Sequence, residues 1–364
     1  MQRTLYLHIG AHRTATTSIQ RFLRSNTDVL AGKGVLNPSG LARHYDLISQ
    51  LSAGERTLAA AAADLTAQAA ATEARTGRPV SSLVLSDEDI CSRTDIARLA
   101  RLADHFTIRV IYVIRRQDLW LESWYRQNVK WQWNRDLAHR PFAEFLARRR
   151  SFFWIDYDAT VTRLERLFGR EAVKLLVFEP TAMPGGPVAA FAQAIGLNSL
   201  EGFATGQRAN GSLSALTTEF MRQLPLDEIP DRTRRLLEQA CTRMDWHVQQ
   251  RFGPQSPYYM DAATRAAVMA GYAAGNAALA RRLFGRETLF TEPMPAADAP
   301  LAPAALPDDA AALMEAFVAP LIRYLIPALS ARVPPDAGTA AETTPEIAPE
   351  TSPKDQPRGR REWQ

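Results

Sequence analysis

A short run of glycine, cationic and hydroxyl side chains lies near the start of the chain, between Gly10 and Ser18. Gly10 can adopt a turn that other residues resist, Arg13 carries a positive charge, and the residues from Thr16 onward supply hydroxyl groups. A helix that begins there would bind an anion, because its first backbone N–H groups are unpaired and its dipole is positive at that end. The residue types and their spacing therefore predict a loop that binds a phosphate-type group.

The run can be compared with the loop GxxxxGK[ST], which binds the phosphates of nucleoside triphosphates. Gly10 and Thr17 match the first glycine and the final hydroxyl, whereas Ala15 replaces the second glycine and Thr16 replaces the lysine. The cation stands three residues earlier, at Arg13. Without that lysine the loop is poorly suited to a triphosphate with magnesium, and it suits a single phosphate that carries a leaving sulfonate. A P-loop kinase or related nucleotide-binding enzyme stays open as an alternative.

A second pair of phosphate-binding residue types follows the segment Ile108–Ile114, which is rich in β-branched residues and predicts a strand. Arg115 comes directly after this strand, and Ser123 comes eight residues later in a segment with a helical pattern. A serine two turns into that helix can point back toward the arginine, which binds phosphate through two hydrogen bonds. The pair therefore predicts a second anion site beside the first.

Together these runs resemble the sulfotransferases that use 3′-phosphoadenosine 5′-phosphosulfate (PAPS). That family's loop reads roughly GxxKTGTTS, and Gly10–Ser18 matches it with Arg13 in place of lysine and Ala15 in place of glycine. The resemblance covers about residues 1–290 and implies an α/β fold of the P-loop class, with three αβα layers and a mainly parallel central sheet. It implies transfer of a sulfonate from PAPS to a hydroxyl or amine of a saccharide or glycolipid, without a metal, as in bacterial carbohydrate-type members. A catalytically inactive protein that binds PAPS or 3′,5′-adenosine bisphosphate (PAP) is a further alternative.

The resemblance also implies roles within the nucleotide site. Arg13 would neutralise the charge that grows on the bridging oxygen as the S–O bond breaks, and Arg115 with Ser123 would bind the 3′-phosphate. Arg208, in a polar loop, would lie over the 3′-phosphate or the adenine. The nucleotide-binding residues that the resemblance implies are Gly10, His12, Arg13, Thr14, Ala15, Thr16, Thr17, Ser18, Arg115, Ser123 and Arg208.

Transfer of a sulfonate to a hydroxyl benefits from a base near the acceptor. Asp87 and Glu88 follow the strand-like segment Ser82–Leu85 directly, so we expect them at the same sheet edge as the two anion sites. In some carbohydrate sulfotransferases a glutamate after a comparable strand is the base, and Glu88 resembles it by placement. Asp87, His12 and His44 stay open as alternatives, and the cap of a following helix is the structural alternative for the acids.

The elements that must position these residues alternate between short apolar strands and helices over the first 290 residues. This alternation is typical of a parallel sheet covered on both faces, whose ligands bind beyond the carboxyl ends of the strands. The predicted strands are Thr4–Ile9, Ser82–Leu85, Ile108–Ile114 and Val173–Phe178. The principal predicted helices are Thr16–Asn26, Ala59–Ala74, Thr94–His105, Gln117–Lys130 and Asp158–Phe168.

Composition excludes several classes of protein. The 364 residues include 43 Lys and Arg against 39 Asp and Glu, and this net charge of +4 is too small to indicate nucleic acid as a partner. Two cysteines without a CxxC pair do not form a disulfide framework or a structural zinc site. No apolar run approaches the ~20 residues that span a bilayer, and the first residues lack a secretory pattern, so we expect a cytoplasmic protein without a transmembrane segment.

Three regions are predicted along the chain. Residues 1–290 form the α/β domain, and residues 291–333 form a linker with a helix that could dock, Ala311–Leu329, which Pro320 and Pro327 would interrupt. Residues 334–364 are rich in Pro, Ala, Thr and Glu and almost devoid of large apolar residues. Such a segment cannot bury enough surface to offset its ordering entropy, so we expect a disordered tail.

Overall fold

The computed structural model describes residues 2–205 and 213–330. The chain divides into two compact units. The first consists of Met1–Trp124, Leu146–Ser212 and Tyr258–Ala299, and the second of Tyr125–Phe145, Leu213–Pro257 and Pro300–Gln364. Arg208 and the tail predicted at 334–364 lie outside the described residues.

A five-stranded parallel sheet forms the centre of the first unit. Its strands are β1 (Thr4–His8), β2 (Val35–Leu36), β3 (Ser82–Ser86), β4 (Thr107–Ile114) and β5 (Val173–Val177). Their order is β2-β3-β1-β4-β5, and every neighbouring pair is parallel. Within β1, Leu5 pairs with Leu83 on one side and with Ile108 on the other. The fold class predicted from the sequence is confirmed.

Helices separate and follow these strands along the chain. The α-helices are α1 (Thr16–Ser25), α2 (Thr27–Gly32), α3 (Tyr45–Ala53), α4 (Leu58–Thr76), α5 (Ala97–Ala100), α6 (Gln117–Trp131), α7 (Arg135–Ala138), α8 (Phe142–Ala147), α9 (Tyr157–Phe168), α10 (Gly186–Ala194), α11 (Ala215–Gln223), α12 (Asp231–Phe252), α13 (Ala262–Ala270), α14 (Ala273–Phe284), α15 (Ala310–Leu313) and α16 (Ala319–Ser330). Short 3₁₀ segments lie at Pro38–Gly40, Glu88–Ser92, Arg101–Asp104, Arg149–Ser151, Phe153–Ile155, Arg170–Ala172 and Leu226–Glu228.

Alternate residues of β4 face the two helical layers of the first unit. Ile111 and Val113 belong to an apolar cluster that includes Phe22 of α1 and Phe191 of α10. Tyr112 lies between them and points the opposite way, where its ring is 6.2 Å from that of Tyr157 in α9. Successive side chains of a strand point to opposite faces, so this alternation requires helices on both sides of the sheet. The result is a three-layer αβα arrangement.

The predicted elements agree with the structure within one to three residues for most strands and helices. The segment predicted as one helix over Thr94–His105 instead contains the short helix α5 and a 3₁₀ turn at Arg101–Asp104. Helix α9 ends at Gly169, whose φ of 91° explains why a glycine follows the helix. The sequence did not predict β2, because two residues are too few to show a periodic pattern.

The described part of the second unit is helical. Helix α12 packs against the helical segment formed by α15, a π-helical turn at Met314–Val318 and α16. The Phe317 ring anchors this packing, since its centroid lies 5.0 Å from that of Phe220 and 6.1 Å from that of Phe252.

The helical window Ala310–Pro327 is long and apolar enough to cross a membrane, by length and composition alone, with a mean hydropathy of 1.4. In the structure 22% of this window is buried. That criterion is weak, because core helices also meet it.

Candidate anion-binding site

The loop after β1 begins with a close approach between two backbones. Gly10 has a φ of +91°, and a Cβ atom added there would lie 3.0 Å from Cβ of Glu88 and 3.1 Å from its Cα. A side chain at position 10 would therefore be strained at this φ and would clash with Glu88. Backbone hydrogen bonds from Ala11 to Val113 and from Val113 to Gly10, of 2.7 and 2.6 Å, hold the loop against β4. Gly10 thus brings Glu88 directly against the loop.

In the described part of the chain, the start of α1 lacks a side-chain cap, which is a property of helix ends that bind anions. Ala15 is the N-cap residue, with a φ of 63°, and no side chain among the described residues caps the helix. The first N–H groups of a helix that lacks a side-chain cap can bind an anion. Thr16 is buried and Thr17 is exposed, whereas Thr14 is buried and its hydroxyl donates to the backbone oxygen of Ala11 at 2.6 Å. The Thr14 side chain therefore stabilises the loop itself.

The two runs predicted to bind anions, about a hundred residues apart in the chain, are in direct contact. Nε of Arg13 donates to Oγ of Ser123 at 2.7 Å. Arg115 donates through Nη1 to the backbone oxygen of Arg13 at 3.4 Å, and Trp120 donates through Nε1 to that of His12 at 2.7 Å. Both runs follow the carboxyl ends of adjacent parallel strands, β1 and β4, which is why they meet. Two guanidinium groups and an uncapped helix start thereby lie at one edge of the sheet.

Three consecutive acids follow β3, and Arg43 forms ion pairs with all three. Its Nη2 atom lies 2.6 Å from Oδ1 of Asp87 and 2.7 Å from Oδ2 of Asp89, and its Nε lies 3.6 Å from Oε2 of Glu88. Burial raises the pKa of Asp87 to about 6, against the opposing charge of Arg43. Asp87 also accepts a hydrogen bond from the backbone N–H of Asp89 at 3.2 Å. Asp87 therefore caps the following turn, which is the structural alternative that the sequence left open.

Glu88 differs from Asp87 in its surroundings. Its side chain is 17% exposed, whereas that of Asp87 is completely buried. Gln20, from α1, donates a hydrogen bond to Oε2 of Glu88. Glu88 is thus the acid of the pair that a substrate could reach, next to the loop.

The two histidines considered as bases have different partners. Nε2 of His12 lies 2.9 Å from Oδ1 of Asp89, and its Nδ1 lies 3.9 Å from Sγ of Cys91. His44 accepts a hydrogen bond from the N–H of Ser86 at its Nδ1, at 3.1 Å, and its Nε2 lies 3.1 Å from a backbone oxygen. Burial lowers the pKa of His44. Both nitrogens of His44 are therefore engaged by the backbone, and neither is left to receive a substrate proton.

Sequence reasoning did not identify Arg43 or Asp89, which complete the site. The signal that could have found Arg43 is the run of three acids after β3, because buried carboxylates at adjacent positions require a cation nearby. The run itself does not say which arginine that is. Among the described residues, no group of three or more His, Cys, Asp and Glu side chains is arranged to hold a metal ion.

The comparisons with known proteins say little about this site. No family model and no solved structure matches the chain. A protein of Archaeoglobus fulgidus, described as an uncharacterized protein, is 31% identical over 117 residues, which are 32% of this chain. The match spans 30% of the length of that archaeal protein.

Proposed function

We propose that this protein is a sulfotransferase that moves a sulfonate group from PAPS to a hydroxyl or amine of an acceptor, with a saccharide or glycolipid as the preferred class. The observation that carries the proposal is the contact between Arg13 and Ser123, whose atoms Nε and Oγ are 2.7 Å apart. PAPS carries its phosphosulfate and its 3′-phosphate on one ribose. A protein that binds it needs two anion sites side by side, and the contact joins two such candidates.

The proposed chemistry is a displacement at sulfur. The acceptor oxygen forms a bond to sulfur while the bond from sulfur to the phosphate oxygen breaks, and that oxygen keeps the electron pair in the product PAP. Arg13 neutralises the growing negative charge, and the first N–H groups of α1 bind the 5′-phosphate with Thr16 and Thr17. Arg115 and Ser123 bind the 3′-phosphate. Catalysis of this kind depends mainly on positioning and charge stabilisation.

Glu88 is the proposed base, which takes the proton of the acceptor hydroxyl. Its partial exposure beside the loop supports this role, and the complete burial of Asp87 argues against Asp87. His12 is the alternative, because Asp89 could stabilise its protonated form across the 2.9 Å contact. The variants Glu88→Gln and His12→Gln separate the two. The rise of kcat with pH that accompanies deprotonation of the base is expected to be lost only in the variant that removes the base.

Binding of PAP is the first test, by titration calorimetry, followed by transfer of radiolabelled sulfonate from PAPS to cell-envelope extracts. Arg13→Ala and Arg115→Ala should each abolish transfer in a folded protein. Arg109→Ala is the matched control, because Arg109 is an exposed arginine within β4 and should leave transfer unchanged. Undiminished transfer in either test variant would remove that residue from the mechanism. Magnesium-dependent ATP turnover without PAP binding would instead support a P-loop kinase.

A catalytically inactive PAPS- or PAP-binding protein is the second candidate, and Ala15 is the observation that favours it. Its φ of 63° is a conformation that suits glycine, and its methyl group lies where the backbone must approach a phosphate. Binding of PAP without transfer to any acceptor would support this candidate. Absence of PAP binding would refute both PAPS-based proposals.

A further inference from the structure

A basic groove in the first unit takes no part in the proposed nucleotide site. It has a volume of about 470 Å³ and lies beside α9 and the end of α13. Arg149, Arg150 and Arg163 line it together with the rings of Phe153 and Tyr272. A second cavity of about 440 Å³ shares Tyr272 with the first and continues along α9. The two together are larger than one small anion needs.

The arginines of the groove retain donors for a ligand. Arg163 is held by hydrogen bonds to the backbone oxygens of Arg93 and Thr94, at 3.0 and 2.6 Å. Arg149 donates through one nitrogen to the backbone of α8, at 3.2 Å. A guanidinium group has five N–H donors, so each of these side chains has further donors. Arg150 is exposed at the rim.

The acids around the groove already have partners. Asp156 accepts a hydrogen bond from the backbone N–H of Ala159 at 3.3 Å, which caps α9. Asp158, in the continuing cavity, forms an ion pair with Arg282 at 3.0 Å. The lining carries three arginines against one carboxylate, that of Asp156, so the groove favours a negatively charged ligand.

We infer that this groove binds an acidic saccharide, a sugar chain that carries carboxylate or sulfate groups. The planar fork of arginine matches both kinds of group. The rings of Phe153 and Tyr272 offer flat apolar faces against which sugar rings can pack. The exposure of Arg150, Asp156 and Gly271 leaves the groove open at the surface, which suits a chain better than a compact molecule.

One buried aromatic ring, that of Trp154, lies between the groove and the candidate site. The Phe153 ring lies 5.4 Å from that of Trp154, and the Trp154 ring lies 6.4 Å from that of His12. The saccharide in the groove would then be the acceptor of the sulfonate, and this acceptor role rests on the proposed function. Binding of the saccharide itself does not depend on that function.

Titration calorimetry in the presence of saturating PAP tests the inference with three hexasaccharides. A sulfated heparin hexasaccharide and a hyaluronan hexasaccharide, which has carboxylates alone, distinguish the two anionic groups, and maltohexaose is the neutral probe. At least one acidic probe should bind, and the double variant Arg149→Gln/Arg150→Gln should weaken that binding by about tenfold or more. Arg148→Gln is the matched control, because Arg148 is an exposed neighbour that does not line the groove.

The charge reversal Arg150→Glu, at an exposed position of the 3₁₀ segment Arg149–Ser151, should cause a loss of affinity at least as large. Equal binding of maltohexaose, equal loss in Arg148→Gln, or no binding of either acidic probe would overturn the inference. A titration of the wild-type protein with PAP alone, and one with the acidic hexasaccharide in the absence of PAP, separate the two proposals. If the wild-type protein binds an acidic hexasaccharide but not PAP, the groove stands and the proposed function fails.

Discussion

Arg265 is the cation at the centre of a buried ion network that holds the start of α6, and its replacement by leucine should destabilise the protein strongly. The exposed fractions of Arg265, Asp118 and Glu122 are 3%, 0% and 2%. Arg265 donates to Asp118 at 2.5 Å, to the two oxygens of Glu122 at 2.8 and 3.5 Å, and to the backbone oxygen of Met260 at 3.3 Å. Leucine would remove all these hydrogen bonds and leave two carboxylates in the interior.

The partners that remain set the size of the effect. Asp118 keeps Arg116, at 2.7 and 3.1 Å, and Glu122 keeps the backbone N–H groups of Tyr259 and Met260, at 2.7 and 3.0 Å. Loss of one partner from a buried ion pair costs roughly 3–5 kcal/mol. Because both carboxylates keep other donors, we expect a loss near the lower end, about 3 kcal/mol in the free energy of unfolding.

Urea unfolding at pH 7 measures this loss, and Arg281→Leu is the matched control. Arg281 pairs with Glu287 at 2.8 Å, but the exposed fractions of the two side chains are 55% and 78%, so the control should lose about 1 kcal/mol or less. A loss in Arg265→Leu no larger than in the control would refute the reasoning.

The same network predicts how the effect depends on pH. Burial acts to raise the pKa of Asp118, but the hydrogen bonds and charges of Arg116 and Arg265 hold it below its usual value. A carboxylate whose pKa is lower in the folded state than in the unfolded state stabilises the protein at pH values above the unfolded-state pKa. This stabilisation disappears as the pH falls through the folded-state pKa. Arg265→Leu should therefore cost less in acid than at pH 7. An equal or larger cost in acid would contradict this assignment.

Three further substitutions test the loop and the second unit. Gly10→Ala should destabilise the protein by about 1–3 kcal/mol in urea unfolding and abolish PAP binding, because its Cβ atom would lie 3.0 Å from Cβ of Glu88 at a φ of +91°; normal PAP binding would show that the close approach is not needed. Ala15→Gly should stabilise the protein by about 0.5–1 kcal/mol, since its φ is 63°; a lower melting temperature would argue against a left-handed residue there. Burial raises the pKa of Glu238 to about 7 from its ordinary value of 4.5, although Lys130 acts to lower it. A protein with such an acid loses stability as the pH rises from the acid's unfolded-state pKa to its folded-state pKa. Glu238→Gln should therefore flatten the fall in the free energy of unfolding between pH 4.5 and 7; an unchanged slope would exclude Glu238 as the source of that fall.

The fold and part of the candidate site could be predicted from local patterns. Strands buried on both faces appear as continuous apolar runs, which is why β1, β3, β4 and β5 were located within two residues. That the two runs lie at one edge of the sheet could be predicted from one rule, that the carboxyl ends of parallel strands share an edge; the contact of Arg13 with Ser123 was not predicted. The rule needs only the position of each residue along its own strand. It does not need the contacts of individual side chains.

The amino-acid sequence by itself determined the α/β class, the positions of β1, β3, β4 and β5, and the two runs of residue types suited to anions, because each depends on neighbours within about ten residues of the chain. Only the tertiary structure decided that Arg43 pairs with the three acids after β3, that Asp87 is buried while Glu88 is partly exposed, and that both nitrogens of His44 face the backbone. It also brought Arg149 and Arg150 into one groove with Tyr272. Arg43 and Asp87 lie 44 residues apart and His44 and Ser86 lie 42 apart. A side chain's burial and charge environment depend on how the elements pack, which no local pattern records.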